Sequence, residues 1–159
     1  FALHYPDRLA GLVLVSSGAR LRVSPAILLG LRDDFPATAK LLCDWACGDR
    51  ADEHTRRLYL RRLLEADPVV MLGDFLACDA FDVRQRLGDI SLPTLVIGGT
   101  ADRMTPPKFS EYLRDHIPDA QLLLVEGAGH MVMLEQPVAV TAAVADFLQH
   151  SMQHVRRTT

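Results

Sequence analysis

The 159-residue sequence predicts an α/β fold in which parallel strands are flanked by helices and a helical insertion separates two of the strands. Three observations predict it. Three short apolar runs are hydrophobic on both faces, the pattern of strands buried within a parallel sheet. Two of those runs enclose a single helix-length segment, which makes a βαβ unit. The first and second runs are separated by a long stretch with helical periodicity and no strand pattern.

The first strand reads as Gly11–Val15, GLVLV. The region Arg20–Gly88 follows, with helices fitting Pro25–Arg32, Pro36–Ala46, Glu53–Ala66 and Pro68–Cys78. Asp67 and Pro68 supply a cap and a first helical residue for the last of these. An insertion this long within one sheet is a lid or cap rather than a connection. The second strand is Thr94–Ile97, and the third is Gln121–Val125. Between them Pro106–Ile117 reads as a helix, with Thr105 as N-cap and Pro106 in the first turn. A closing helix, Gln136–His150, carries Val140, Val144, Phe147 and Leu148 on one stripe that packs onto the sheet. The expected division is therefore a core over 1–19 and 89–150, a helical cap over 20–88 and a frayed polar tail over 151–159.

Composition narrows the function classes. Hydrophobic residues make up 49% and charged residues 23% of the chain, ordinary values for a globular domain. Lys and Arg number 17 against 20 Asp and Glu, a net charge of −3 that carries no nucleic-acid footprint and no attraction to an anionic membrane. No apolar run approaches the ~20 residues of a membrane span. The three cysteines, Cys43, Cys47 and Cys78, fit small apolar packing residues in a reducing, cytoplasmic setting. Arg56, Arg57, Arg61 and Arg62 read as the solvated face of the third helix, offset by Glu53 and Glu65. His150 and His154 stand four apart, but without a third ligand they make no metal site.

Ligands of parallel sheets gather beyond the carboxyl ends of the strands. Asp102 lies five residues past the strand ending at Ile97, in GGTADRMTPP; His130 lies five past the strand ending at Val125, in EGAGHMVMLEQP. Neighbouring strands are about 4.8 Å apart, so loops of equal length leaving one sheet edge can join carboxylate and imidazole. An Asp holding one ring nitrogen of a His, leaving the other to act as a base, is two parts of a Ser-His-Asp relay. Gly98 and Gly99 permit a tight exit for the first loop, and Gly127 and Gly129 permit positive φ in the second.

TLVIGGTADRMTPP followed by LLLVEGAGHMVMLEQP resembles the last third of an α/β-hydrolase-fold enzyme, and FALHYPDRLAGLVLVSSG resembles the helix after the family's nucleophile elbow and the next strand. The resemblance runs to about His150 and places Arg20–Gly88 where the family carries its cap. It implies Asp102 as the triad acid, His130 as the base, no cofactor and no metal. The family's nucleophile motif, G-x-S-x-G on a strand-to-helix turn, is absent from the 159 residues. The resemblance therefore implies that the elbow and the oxyanion-hole loop lie upstream of Phe1, on the order of 100 residues at ~30 per βα unit. Ser17 has the right chain order but lacks a preceding glycine and a following helix, so Ser16 and Ser17 are expected to end the strand at the site rim.

The expected substrate is a small ester or acyl compound, lined by Met104, Met131, Trp45 and Phe75, with Met133 and Phe81 as further apolar candidates. Met131 follows a His that must face the cavity, so it is the residue most expected there. Within the same fold the nucleophile can instead be Asp, as in haloalkane dehalogenases and epoxide hydrolases, and C–C bond hydrolases and cofactor-free haloperoxidases are further alternatives. A non-enzymatic alternative also stands: an inert partial fold whose apolar edge at Gly11–Val15 recruits an N-terminal complement or a second copy.

Overall fold

Three strands form one parallel sheet in the order β1 (Leu12–Val15), β2 (Thr94–Gly99), β3 (Ala120–Val125). The computed structural model describes residues 1–158, with side chains described for residues 1–149. The tail expected over 151–159 and the His150–His154 pair lie outside the residues whose side chains are described. β2 is central and buried along its whole length, which is why TLVIGG is apolar on both faces. One face packs Val96 with Leu113, Ile117 and Leu87; the other packs Leu95 and Ile97 with Val125, Val132 and Phe147. β2 and β3 pair in register from Thr94↔Ala120 to Gly99↔Val125, so their carboxyl ends are level.

Four helices stand between β1 and β2: α1 (Pro25–Asp33), α2 (Phe35–Ala46), α3 (Glu53–Glu65) and α4 (Pro68–Ala80). Asp34, Asp52 and Asp67 cap α2, α3 and α4 by accepting backbone N–H bonds. Ile27, Leu31 and Leu42 form a separate apolar cluster here, with Trp45, Leu63, Phe75 and Met104 against it. The two ends of the insertion are tied side by side: the Val83 amide donates to Ala19 O at 2.8 Å, and the Val23 amide to Asp79 Oδ1 at 2.9 Å.

The helix between β2 and β3 is α5, Pro107–His116, one residue later than the sequence pattern suggests, with Pro106 in the cap position. Thr105 is therefore not its N-cap; its side chain serves Asp102 instead. After β3 comes a single turn, α6 (Val132–Glu135), which no periodicity in four residues can announce, and then α7, Pro137–Thr158. Arg56 departs from the solvated-face expectation. Its guanidinium donates to Gly48 O at 2.7 Å and tethers the loop after α2, whereas Arg61 and Arg62 pair with Glu65 at the surface.

Candidate active site

Beyond the level ends of β2 and β3 the two following loops are laced together. The Thr100 amide donates to Val125 O at 3.0 Å, the Ala101 amide to Ala128 O at 2.9 Å, and the Gly127 amide to Thr100 Oγ1 at 2.8 Å. This approach is so close that a Cβ on Gly99 would sit 2.5 Å from the Ala128 carbonyl carbon. Of the two loop glycines, Gly127 adopts positive φ, +71°. Gly129 does not; it is needed because a Cβ there would strike the backbone of Gly48 and Cys47.

The lacing brings Asp102 and His130 together, with Oδ2 2.9 Å from Nδ1. Asp102 is 4% exposed. Its Oδ1 accepts from the Met104 and Thr105 amides, each at 2.8 Å, and Oδ2 also accepts from the Thr105 hydroxyl at 2.8 Å. Burial alone would raise the carboxyl's pKa, but the bonds from His130 and Thr105 and the His130 charge outweigh it and hold the group below its ordinary value. An ionised carboxylate only accepts, so Nδ1 is the donor of this contact, and in a neutral imidazole that leaves the lone pair on Nε2. Thr105 Oγ1 lies 3.2 Å from the same Nδ1, close enough to share that hydrogen.

The His loop is also fixed from the insertion side. Ala46 O, in the last turn of α2, accepts from the His130 amide at 2.8 Å and from the Met131 amide at 3.3 Å. Glu135 accepts from the Gly48 amide with both oxygens, at 3.1 and 3.2 Å, and from the Gly129 amide at 3.0 Å. A cavity of about 280 Å³ opens in front of the imidazole. His130, Trp45, Phe75, Met104 and Leu42 line it. Met131 lies outside that lining because its backbone turns into the cap of α6, and Phe81 and Met133 lie outside it too, at 41% and 36% exposure.

Four participants were not legible as such in the sequence. Thr105 looked like a helix cap, although its place three residues after Asp102 fits an Asx-type turn. Glu135 and Gly48 are 87 residues apart, and no local pattern joins them. Ser16 is not at an open rim: it is 8% exposed, has φ +44°, lines the cavity and, among the described residues, has no hydrogen-bond partner for its hydroxyl. A strained residue with an orphan hydroxyl in a cavity wall is a feature of ligand-contacting positions.

Comparison with known proteins places this geometry. The family described as TAP-like protein matches residues 75–158. The pimeloyl-[acyl-carrier protein] methyl ester esterase of Yersinia enterocolitica is 29% identical over 165 residues, covering 94% of this chain and 64% of the relative. A solved thermophilic esterase superposes with a TM-score of 0.85 at 37% identity, over 94% of this chain and 60% of that one. The enol-lactonase from Burkholderia xenovorans LB400, at 24% identity and a TM-score of 0.87 over 93% of this chain and 59% of that one, shares the fold. The chain thus spans a little under two thirds of the length of these relatives. With its parallel sheet, its paired loops and these relatives, the chain belongs to the α/β-hydrolase-fold family.

Proposed function

We propose that this chain supplies the acid, Asp102, and the base, His130, of a serine hydrolase acting on small esters, with the attacking serine and the oxyanion-hole donors contributed by sequence outside these 159 residues. The observation that carries the reading is the 2.9 Å contact between a buried, fully bonded Asp102 and His130 Nδ1 at the wall of a cavity. Nε2 would take the proton from the serine hydroxyl as it attacks the ester carbon, and return it to the leaving alcohol. Asp102 would hold the tautomer and stabilise the imidazolium. Trp45, Phe75 and Met104 would form the acyl wall, with α1–α4 acting as its cap. The esterase names among the relatives support the reaction class.

Hydrolysis of 4-nitrophenyl acetate, assayed with the 159-residue chain alone and with an upstream α/β-hydrolase half supplied, tests this. The reading expects turnover only in the second case. Turnover by the chain alone would mean that the nucleophile is among its own residues, with Ser16 the first to replace. The free thiols of Cys43, Cys47 and Cys78 suit a reducing compartment, the cytoplasm among them.

A second reading rests on β1. It is an edge of the sheet, pairing only with β2 among the described residues, and its four residues are half-buried. Unpaired apolar edges recruit strands. We propose that β1 accepts either an N-terminal complement or a second copy through Gly11–Val15. A monodisperse monomer in light scattering of the chain alone would count against it.

A further inference from the structure

A second cavity, of about 460 Å³, adjoins the first, and Arg22 and Phe109 line both. Arg20, Arg84, Lys108 and Tyr112 complete its charged and aromatic wall. Four basic residues thus line one cavity, with their alkyl stems supplying part of its apolar wall, in a chain whose net charge is −3. One carboxylate offsets them: Asp82 bonds Arg84 at 2.7 Å and lies 3.6 Å from Arg20. Arg22 and Lys108 make no ion pair among the described residues, while the Asp79 carboxylate, which accepts from the Val23 amide, lines a neighbouring cavity with Arg22. Lys108 Nζ stands 6.0 Å from the Phe109 ring centroid, so charge and apolar surface lie side by side.

We infer that this cavity is an anion-recognising annex of the hydrolytic site, taking the far end of an acyl group that ends in an oxyanion, a carboxylate or a phosphate. As a statement about substrate, the inference rests on the hydrolase reading above; as a statement about binding, it stands on this cavity alone. Guanidinium groups pair with planar or tetrahedral oxyanions through two parallel bonds, and Phe109 and Tyr112 offer a wall for an alkyl chain. A ligand with its carbonyl at His130 would pass Phe109 and place its terminal charge between Arg22 and Lys108. The Asp82 carboxylate holds Arg20 and Arg84 in place and lowers the local charge.

The test is binding of hexanoate, hexyl phosphate and neutral 1-hexanol to the 159-residue chain, followed by amide NMR shifts. Both anions are expected to move Ala19, Arg20, Phe109 and Tyr112 and to bind at least roughly tenfold more tightly than 1-hexanol, as expected for a charge-assisted bond. Comparing hexanoate with hexyl phosphate decides which oxyanion the annex takes. Lys108→Gln and Arg22→Gln should each weaken anion binding by about tenfold and leave 1-hexanol unchanged. Arg57→Gln, on the outer face of α3, should change neither. Equal binding of 1-hexanol, shifts located elsewhere, or unaltered anion affinity in both cavity variants would overturn the inference. Anion binding that persists in a chain whose completed form hydrolyses no ester would uphold the annex and count against the hydrolase reading alone.

Discussion

Asp102 Oδ2 and His130 Nδ1 meet at 2.9 Å although the two residues stand 28 positions apart in sequence. The contact is made by geometry on both sides: β2 and β3 end level, and the loops beyond them share backbone bonds. If the pair forms a proton relay, Asp102→Asn in the completed enzyme should lower kcat for a 4-nitrophenyl ester by roughly 10⁴-fold, through loss of the correct tautomer. His130→Ala should cost as much or more. Near-normal turnover in either variant would end the assignment.

Much of this arrangement was legible in the sequence, for identifiable reasons. The short apolar runs of β2 and β3 mark buried strands, and Asp102 and His130 follow them closely enough to share one sheet edge; β2 runs on to Gly99, so the offsets are three and five residues rather than equal. The start of α4 is readable from Asp67 and Pro68, whereas α2, α5 and α7 each begin one residue away from where their Pro or Gln suggests. What failed depended on contacts distant in sequence. Arg56 was read from its own helix, yet its partner is the carbonyl of Gly48 in the preceding loop. Met131 was placed by its neighbour's role, yet its amide follows Ala46 O and its backbone turns into α6.

Glu135 joins the Gly48 and Gly129 backbone segments beside His130. Glu135→Gln replaces one acceptor oxygen with an N–H group facing the Gly48 and Gly129 amides. It should destabilise the chain by about 1–3 kcal/mol in urea denaturation and shift the His130 ring resonances. Unchanged stability together with unchanged ring resonances would remove Glu135 from any positioning role.

Gly48 has no room for a side chain. A Cβ there would lie 2.6 Å from the Ala128 carbonyl carbon and 2.7 Å from Gly127 O. Gly48→Ala is expected to cost about 1–3 kcal/mol or more, read as a lower denaturant midpoint. Gly73→Ala meets nothing within 4 Å and sits inside α4, so it should be neutral or mildly stabilising.

The acid limb of stability should carry the signature of Asp102. Its carboxyl is held below the ordinary value, so the folded chain binds that proton more weakly than the unfolded chain does. The resulting stabilisation is complete above the unfolded carboxyl value of about 3.9 and is lost as pH falls through the lower, folded value. Asp102→Asn should therefore flatten the pH dependence of unfolding free energy below about pH 4. Parallel acid limbs in the two proteins would contradict this.

The thiol of Cys47 is pushed up to about 12, first by burial and then by the neighbouring Cys43. Alkylation by iodoacetamide near neutral pH should be far slower in the folded chain than in denaturant, since the thiolate is the reactive form. Rapid labelling of the folded chain would show that the end of α2 opens readily.

Ala46 O holds the amides of His130 and Met131 together, so His130 hangs from the final turn of α2. A swing of that helix would drag the imidazole away from Asp102. The outer helices α3 and α4 are held more lightly, since neither has a buried residue. Phe75 on α4 reaches the cavity in front of His130, so substitutions along α4 can reshape what fits there, whereas α3 is tied to the His130 loop through Arg56 and Gly48. A single residue inserted between Ala46 and Gly48 would disarm the centre while leaving both of its ionisable groups intact.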